Sequence, residues 1–293
     1  MKIFKWIENF GILISVFLIL LFIGLPLFWV FRCSISTPEE AWEWGLPKNP
    51  TFRNYIRIFT YKAGQIQQEW EEIGLAAGAP NLIIPMKNSF IIATSTAILS
   101  TILSMFAAYN LIRMKYKGKR FASSIIIISY IFPVFILLTP LSIIFNQLGL
   151  LNTLEGVILA HLAYTLPFSI FILCGYLKNF PYEIEEAAYI DGCSRFQALT
   201  KVVFPLIAPA IATAAMFSFI LSWDDLLFPI MLLTSNEKYP LPVQFTFFLF
   251  GGEVLSPTFL SAFLIFTISI PCIMFYFAQN YIRTGLFAGA IKR

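Results

Sequence analysis

The sequence predicts an all-α polytopic membrane protein built on six transmembrane helices. Two observations carry that reading: an apolar composition and six long runs with almost no charge. Of the 293 residues, 58% are hydrophobic and 17% aromatic against 12% charged, and the mean hydropathy is +0.78. A soluble domain carries about twice that charge. The net charge of +4 is modest, and the basic residues fall in short separate segments rather than on one broad face, which speaks against nucleic acid as a partner. Cys33, Cys174, Cys193 and Cys272 show no C-x-x-C spacing. They are expected to be small buried or interfacial residues, with no metal, cofactor or disulfide framework.

A bilayer core of about 30 Å needs roughly 20 apolar helical residues. Stretches 10–31, 90–112, 121–145, 156–177, 206–233 and 259–281 meet that length. The first is about twice as long as the apolar region of a signal peptide and lacks a small-residue cleavage site after it, so it is expected to stay as a helix. Pro26, Pro133, Pro140, Pro167, Pro229 and Pro271 lie inside or near spans, where neighbouring helices can re-satisfy the freed backbone groups. Orientation follows from the run Arg113, Lys115, Lys117, Lys119 and Arg120, which holds no acid and belongs on the cytoplasmic side. Alternation then puts both termini and loop 178–201 inside, with 34–87, 146–155 and 234–258 outside. The basic run reads as a topology signal without a partner of its own, or else as a contact for lipid phosphates or a neighbouring subunit. In the outer segment, Ile66, Trp70 and Ile73 recur at i, i+4 and i+7 among Gln and Glu, the pattern of an amphipathic surface helix. An extracytoplasmic partner docks there, or the helix folds back on its own chain.

The loop between the fourth and fifth runs, FPYEIEEAAYIDGCSRFQALTKVVFPLIAP over 180–209, reads as helix, turn, helix. Pro181 suits a first helical position, and Glu183, Glu185 and Glu186 complement the positive end of the helix dipole. Gly192 supplies the left-handed residue that closes this helix. Ser194 with Gln197 forms a capping box that starts a second helix carrying Phe196, Leu199, Val203 and Phe204 along one side. Pro205 and Pro209 mark the passage into the fifth span.

Glu186-Ala187-Ala188, Gly192, then Val202-x-Phe204-Pro205 resembles the E-A-A-x3-G-x9-I-x-L-P signature of ABC-importer permeases, with Val202 and Phe204 as apolar exchanges. Ser222-Trp223-Asp224-Asp225 before Phe228-Pro229 resembles the S-W-N-[DE]-x3-P pattern of carbohydrate permeases, departing at Asp224. The ending Gly285-Leu286-Phe287-Ala288-Gly289-Ala290-Ile291-Lys292 is similar to the tail of maltose-type second subunits, and Asn54-Tyr55 and Asn88-Ser89 also look like that group. The resemblance implies a type I ABC-importer permease bundle with a cytoplasmic coupling hairpin. Residues 1–33 would be the amino-terminal segment and first helix, 34–87 an extracytoplasmic segment, 88–283 the core bundle with coupling loop 180–205, and 284–293 a cytoplasmic tail. It further implies ATPase contact through Glu185, Glu186, Ala187, Ala188, Asp191, Gly192 and Pro205, with Gly289, Ala290 and Lys292 as a second contact. Expected partners are a second permease in a heterodimer, two cytoplasmic ATPase subunits, an extracytoplasmic solute-binding protein and membrane lipid.

No G-x-x-x-x-G-K-[ST] loop is present, since Gly118-Lys119 is followed by Arg120, so ATP hydrolysis is expected in another subunit and the chain is not expected to be an enzyme. Trp223, Asp224 and Asp225 are candidates for the translocation path or gate, because a carboxylate in a span is costly unless it faces a cavity or a partner; pairing at the outer interface is the other reading. His161, the single histidine, is expected to be a satisfied bundle residue rather than a proton relay. Trp6, Trp29 and Trp44 suit the membrane interface. The solute expected from the resemblance is a sugar or oligosaccharide, with glycerol phosphate or a polyamine as alternatives. A membrane-embedded lipid or envelope enzyme and a passive channel are the readings from other classes.

Overall fold

A computed structural model describes residues 2–60, 82–250 and 256–290, with side chains described over 10–59, 82–250 and 256–279. The candidate amphipathic helix at Ile66, Trp70 and Ile73 lies outside the described residues, as does Lys292. Among the described residues every regular element is helical. The chain divides into two compact units, residues 1–83 with 247–270, and residues 84–246 with 271–293.

In the first unit, α1 (Lys2–Ser34) is a 33-residue helix that keeps Pro26 inside it. Its apolar window is unburied along its whole length by the described residues, a surface suited to lipid. The carboxyl-terminal end of α1 is organised by Arg32, a buried arginine whose guanidinium donates to the carbonyls of Gly45, Ala41 and Glu40 at 2.7, 3.0 and 2.8 Å and lies over Trp29. A rigid five-donor fork is suited to gathering loop carbonyls that would otherwise lack partners. Trp29 and Trp44 pack with ring centroids 5.1 Å apart. Helix α2 (Arg53–Thr60) is tied to the end of α1, where Tyr55 and Ser34 share a hydroxyl bond of 2.7 Å and Asn54 donates to Ser34 O.

The second unit contains α3 (Ile83–Arg113, its first residue belonging to the first unit), α4 (Lys119–Ile131), α5 (Phe135–Gln147), α6 (Leu154–Asn179), α7 (Glu183–Ile190), α8 (Arg195–Leu206), α9 (Ala208–Trp223) and α10 (Leu227–Leu232). Helices α11 (Leu241–Phe250) and α12 (Pro257–Ala290) each run from one unit into the other. Among the described residues four helices, from α1, α3, α6 and α12, are long and apolar enough to cross a membrane unbroken, and the total is six if each of two bent pairs counts as one span. The bends correct two expected straight spans. The third bends by 106° between α4 and α5. Pro133 holds Phe132 in extended backbone, φ −66° and ψ 129°, and a residue before proline is disfavoured in the helical region. The fifth bends by 76° at Ile207, and α9 then stops at Trp223 instead of running on to Leu233. Pro167 and Pro271, by contrast, stay inside α6 and α12.

Helices α3, α6 and α9 approach closely because small residues face one another. On α3, Ala93, Ala97, Ser100, Ser104 and Ala108 form a buried stripe. Ser100, Ser169 and Ser218, one from each helix, close a ring of hydroxyl bonds at 3.2, 2.8 and 3.3 Å. Without a hydrophobic drive between helices in lipid, close van der Waals contact and such bonds set the packing. Ser169→Leu is therefore expected to destabilise the bundle by about 1–3 kcal/mol through overpacking. Ser169→Ala should cost about 0.6 kcal/mol per lost bond, both read from denaturation midpoints in detergent.

Two apolar clusters lie on either side of this ring. One joins Ile92, Phe145, Val157, Phe228, Leu232 and Val243; the other joins Ala108, Leu173, Leu177, Leu199, Val203 and Ala210. The end of the first is stitched by asparagines. Asn152, at φ 55°, accepts from the backbone N–H of Thr234 and Ser235 at 3.1 Å each, and Asn88 donates to the carbonyls of Glu237 and Tyr239 at 2.8 and 3.2 Å. Gly156 allows α6 to start beneath the Leu150 carbonyl, where a Cβ would clash. Cys33 is buried, Cys174 and Cys193 are half-buried, and Cys272 lies on the exposed surface of α12.

Candidate functional site

The hairpin between α6 and α9 forms as its residues require. Tyr182 precedes α7, and Glu183, Glu185 and Glu186 occupy the first turn, where the N–H groups and dipole favour negative charge. Gly192 takes φ 86° and ends the helix. The capping box is complete: Gln197 N–H donates to Ser194 Oγ at 3.3 Å, and Ser194 N–H donates to Gln197 Oε1 at 2.8 Å. Helix α8 passes through a π-helical segment, Leu199–Val203. Pro205 has no N–H to offer, and Phe204 N–H reaches back five residues to Leu199 O, so the extra residue accommodates the proline.

Within this hairpin the three acidic residues separate by role. Glu185 is 0% exposed. Its carboxylate accepts from Arg113 Nε at 2.6 Å and from the Tyr109 hydroxyl at 3.1 Å, both on the last turns of α3. Arg113 also donates to Phe180 O at 2.8 Å and lies over the Tyr182 and Phe180 rings. Tyr109 shares a further hydroxyl contact with Tyr189 at 3.3 Å. The hairpin is thus fastened to α3 by a charge-assisted pair flanked by aromatic rings, while Leu199 and Val203 sink into the cluster with Leu173 and Leu177.

Several expectations change at this point. Arg113 is a structural partner of Glu185 rather than a topology charge without one. Glu185 and Ala188 turn inward, so neither presents a surface for docking. Phe196, placed by spacing on the same side as Leu199 and Val203, instead points out at 63% exposure, while Leu199 and Val203 are buried. Glu186, Ala187, Ile190, Asp191, Gly192 and Phe196 remain exposed together at the tip, and Pro205 is exposed where the hairpin meets α9.

The second candidate group sits where α9 ends. His161 is 0% exposed, with Nδ1 2.6 Å from Ser222 Oγ and Nε2 3.0 Å from Asp225 Oδ2, which makes it the satisfied bundle residue expected of it. Asp225 Oδ2 also accepts the Phe228 N–H at 3.1 Å and so caps α10. Trp223 is buried and stacked on Phe219 at 5.5 Å, unavailable as a platform for a sugar ring. Asp224 is exposed at the break. These residues therefore form a latch between α6 and the α9–α10 break. His161→Leu should leave Asp225 with a single donor and lower stability by about 1–3 kcal/mol, seen as a lower denaturation midpoint. Gly289 and Ala290 fall in the last turn of α12.

Sequence reasoning missed Tyr109, Arg32, Asn152 and the serine ring. A signal existed only for the Arg113 and Glu185 pair, opposite charges at the end of one helix and the start of another.

An apolar helical bundle that carries a polar hairpin, rigidly seated and with its tip presented away from the core, defines a membrane subunit of a transport system. The chain belongs to the family of binding-protein-dependent transport system inner membrane components, whose profile matches residues 78–287. It is 32% identical over 270 residues to a trehalose transport system permease protein of Mycobacterium tuberculosis, covering 92% of each chain. It is 30% identical over 273 residues to a trehalose/maltose transport system permease protein of Thermococcus litoralis, covering 91% of each. Its fold is that of a chain from a bacterial ABC transporter involved in the import of the acidic polysaccharide alginate, at a TM-score of 0.74 and 24% identity, covering 94% of this chain and 97% of the other. The protein is a multi-pass inner-membrane permease of an ABC importer, a transport subunit rather than an enzyme.

Proposed function

We propose that this permease forms half of a translocation pathway for a sugar or oligosaccharide, beside a second, different permease, and that its hairpin is the seat of one of two cytoplasmic ATPase subunits. The observation that carries the reading is the division of labour in the hairpin: Glu185 fastens it to α3, while Glu186, Ala187, Ile190 and Asp191 stand exposed beside it. A load applied at the tip then moves α3 and α9 as one body, which a two-state, alternating-access element needs. Loop 178–201 and both termini are assigned to the cytoplasm, with the receptor docking on the opposite side, and Gly289 to Lys292 are assigned a second contact with the ATPase.

The sugar assignment is supported by relatives named for trehalose and maltose transport, matched over nearly the whole chain. Reconstitution of the complete importer with its receptor in proteoliposomes tests it. ATP-dependent accumulation of a labelled disaccharide, competed by unlabelled sugars and not by polyamines, is the expected result, and the reverse pattern would overturn it. Labelling of Cys193 by a membrane-impermeant thiol reagent from outside intact cells would overturn the cytoplasmic placement.

A further inference from the structure

We propose that the cleft between α4 and α6 is a binding site for one anionic glycerophospholipid, with its phosphate held at Lys119 and Lys178 and an acyl chain lying in the cleft. A cavity of about 890 Å³ opens there. From α4 it is lined by Lys119, Ser123, Ile126, Ile127 and Tyr130, which recur at i, i+4, i+7, i+8 and i+11 and so form one helical face. From α6 the lining runs from Ile170 to Lys178 and includes Phe171, Cys174, Gly175 and Tyr176. The two helices run in opposite senses along the chain, yet each brings its lysine to the same mouth.

Three features select the occupant. First, the charge is confined to that mouth, and both cations sit at the end assigned to the cytoplasm, where anionic headgroups are attracted by basic pockets between spans. Second, the wall beyond the lysines is mostly apolar, and its hydroxyls, from Ser123, Tyr130, Tyr176 and Thr213, are spread over three helices, where a sugar site needs a few precisely placed polar groups. Third, the far end is bordered by stacked aromatic rings, Tyr130 and Phe171 being 48% and 60% exposed. Tyr130 stacks on Phe171 at 5.9 Å and 3°, and on Phe168 at 5.6 Å. From Lys119 to Tyr130 the helix rises about 16 Å, a length scaled to an acyl chain and not to a rigid polar solute. Lys119 already donates to the carbonyls of Ile112 and Met114 at 3.2 and 3.0 Å, which holds its ammonium at the mouth, while Lys178 is exposed. Because Arg113, which fastens the hairpin, is the residue after Ile112 in the same helix end, an occupied site stiffens the base of the hairpin. This site rests on the packing of the spans and not on the identity of the solute.

Gly175 offers a clean probe, since a Cβ there meets nothing within 4 Å and its backbone is ordinary for any residue. The complete importer is purified in a mixture of phosphatidylglycerol and phosphatidylcholine and examined by native mass spectrometry for retained lipid. Phosphatidylglycerol retained in preference to phosphatidylcholine is expected. Lys178→Gln should reduce that preference roughly fivefold, the effect of one near-surface charge. Gly175→Leu should remove the retained lipid of either kind. Unchanged preference in Lys178→Gln, or unchanged retention in Gly175→Leu, would overturn the proposal. So would equal retention of both lipids by the unaltered importer, which would mean a plain acyl groove.

Discussion

Arg113→Ala is expected to unseat the hairpin and to abolish ATP-driven uptake while leaving the chain in the membrane. The carboxylate of Glu185 is fully buried, and its two donors are Arg113 at 2.6 Å and Tyr109 at 3.1 Å. Removing one partner of a buried pair leaves an uncompensated charge, an effect of about 3–5 kcal/mol, because the carboxylate must recover water or take up a proton. Here the cheapest relief is for α7 to lift off α3. Amide exchange over α7 and α8 should then accelerate by at least about a hundredfold, since each 1.4 kcal/mol of opening free energy is a factor of ten. Replacing both partners together, Arg113→Met with Glu185→Leu, should restore most of the protection, because apolar groups of similar volume need no counter-charge. Unchanged exchange in Arg113→Ala would refute the fastening role.

Glu186→Lys tests the other half of the hairpin and is expected to eliminate uptake with no loss of stability. Glu186 is exposed and, among the described residues, engages no side chain in a hydrogen bond or ion pair, so its reversal should leave insertion and the denaturation midpoint unchanged. A cation at the exposed tip would, however, oppose any partner shaped for the acidic Glu186 and Asp191, and like-charge juxtaposition at an interface costs several kcal/mol. Gly192→Pro should give the same transport defect by a different route. Gly192 sits at φ 86°, which proline cannot reach, and its N–H donates to Tyr189 O at 3.1 Å. Uptake in proteoliposomes at the wild-type rate by Glu186→Lys would exclude the tip as a docking surface. The pair of experiments separates the two functions of adjacent glutamates: Glu185 variants change amide exchange and uptake, Glu186 variants change uptake alone.

Local chemistry was legible where it depends on near neighbours in the chain. The capping box at Ser194 and Gln197, the turn at Gly192 and the acidic first turn of α7 all form as the residues prescribe, because each is settled within four positions. The apolar runs likewise gave the helices, since a window of hydropathy measures what lipid measures. The faces of α8 were legible only in part: a π segment from Leu199 to Val203 adds a residue that a periodicity of 3.6 does not contain, and Phe196, which precedes it, is exposed because burial depends on a neighbour and not on spacing. Pro133 and Pro167 looked alike in sequence, yet one breaks a span and the other stays inside a helix. A proline's outcome is decided by whether packing on neighbouring helices holds the chain straight across it.

The amino acids alone determined that this chain lives in a membrane, where its apolar runs lie, and that a polar hairpin interrupts them before the fifth span. Tertiary structure alone decided which of three neighbouring glutamates turns inward, which arginine meets it, how three serines close a ring at the helix crossing, and that His161 reaches Asp225 across a break. The reason is physical. Helix formation and capping are energies summed over adjacent residues, while burial of a charge is settled by a partner 72 positions away, and no local pattern specifies that distance.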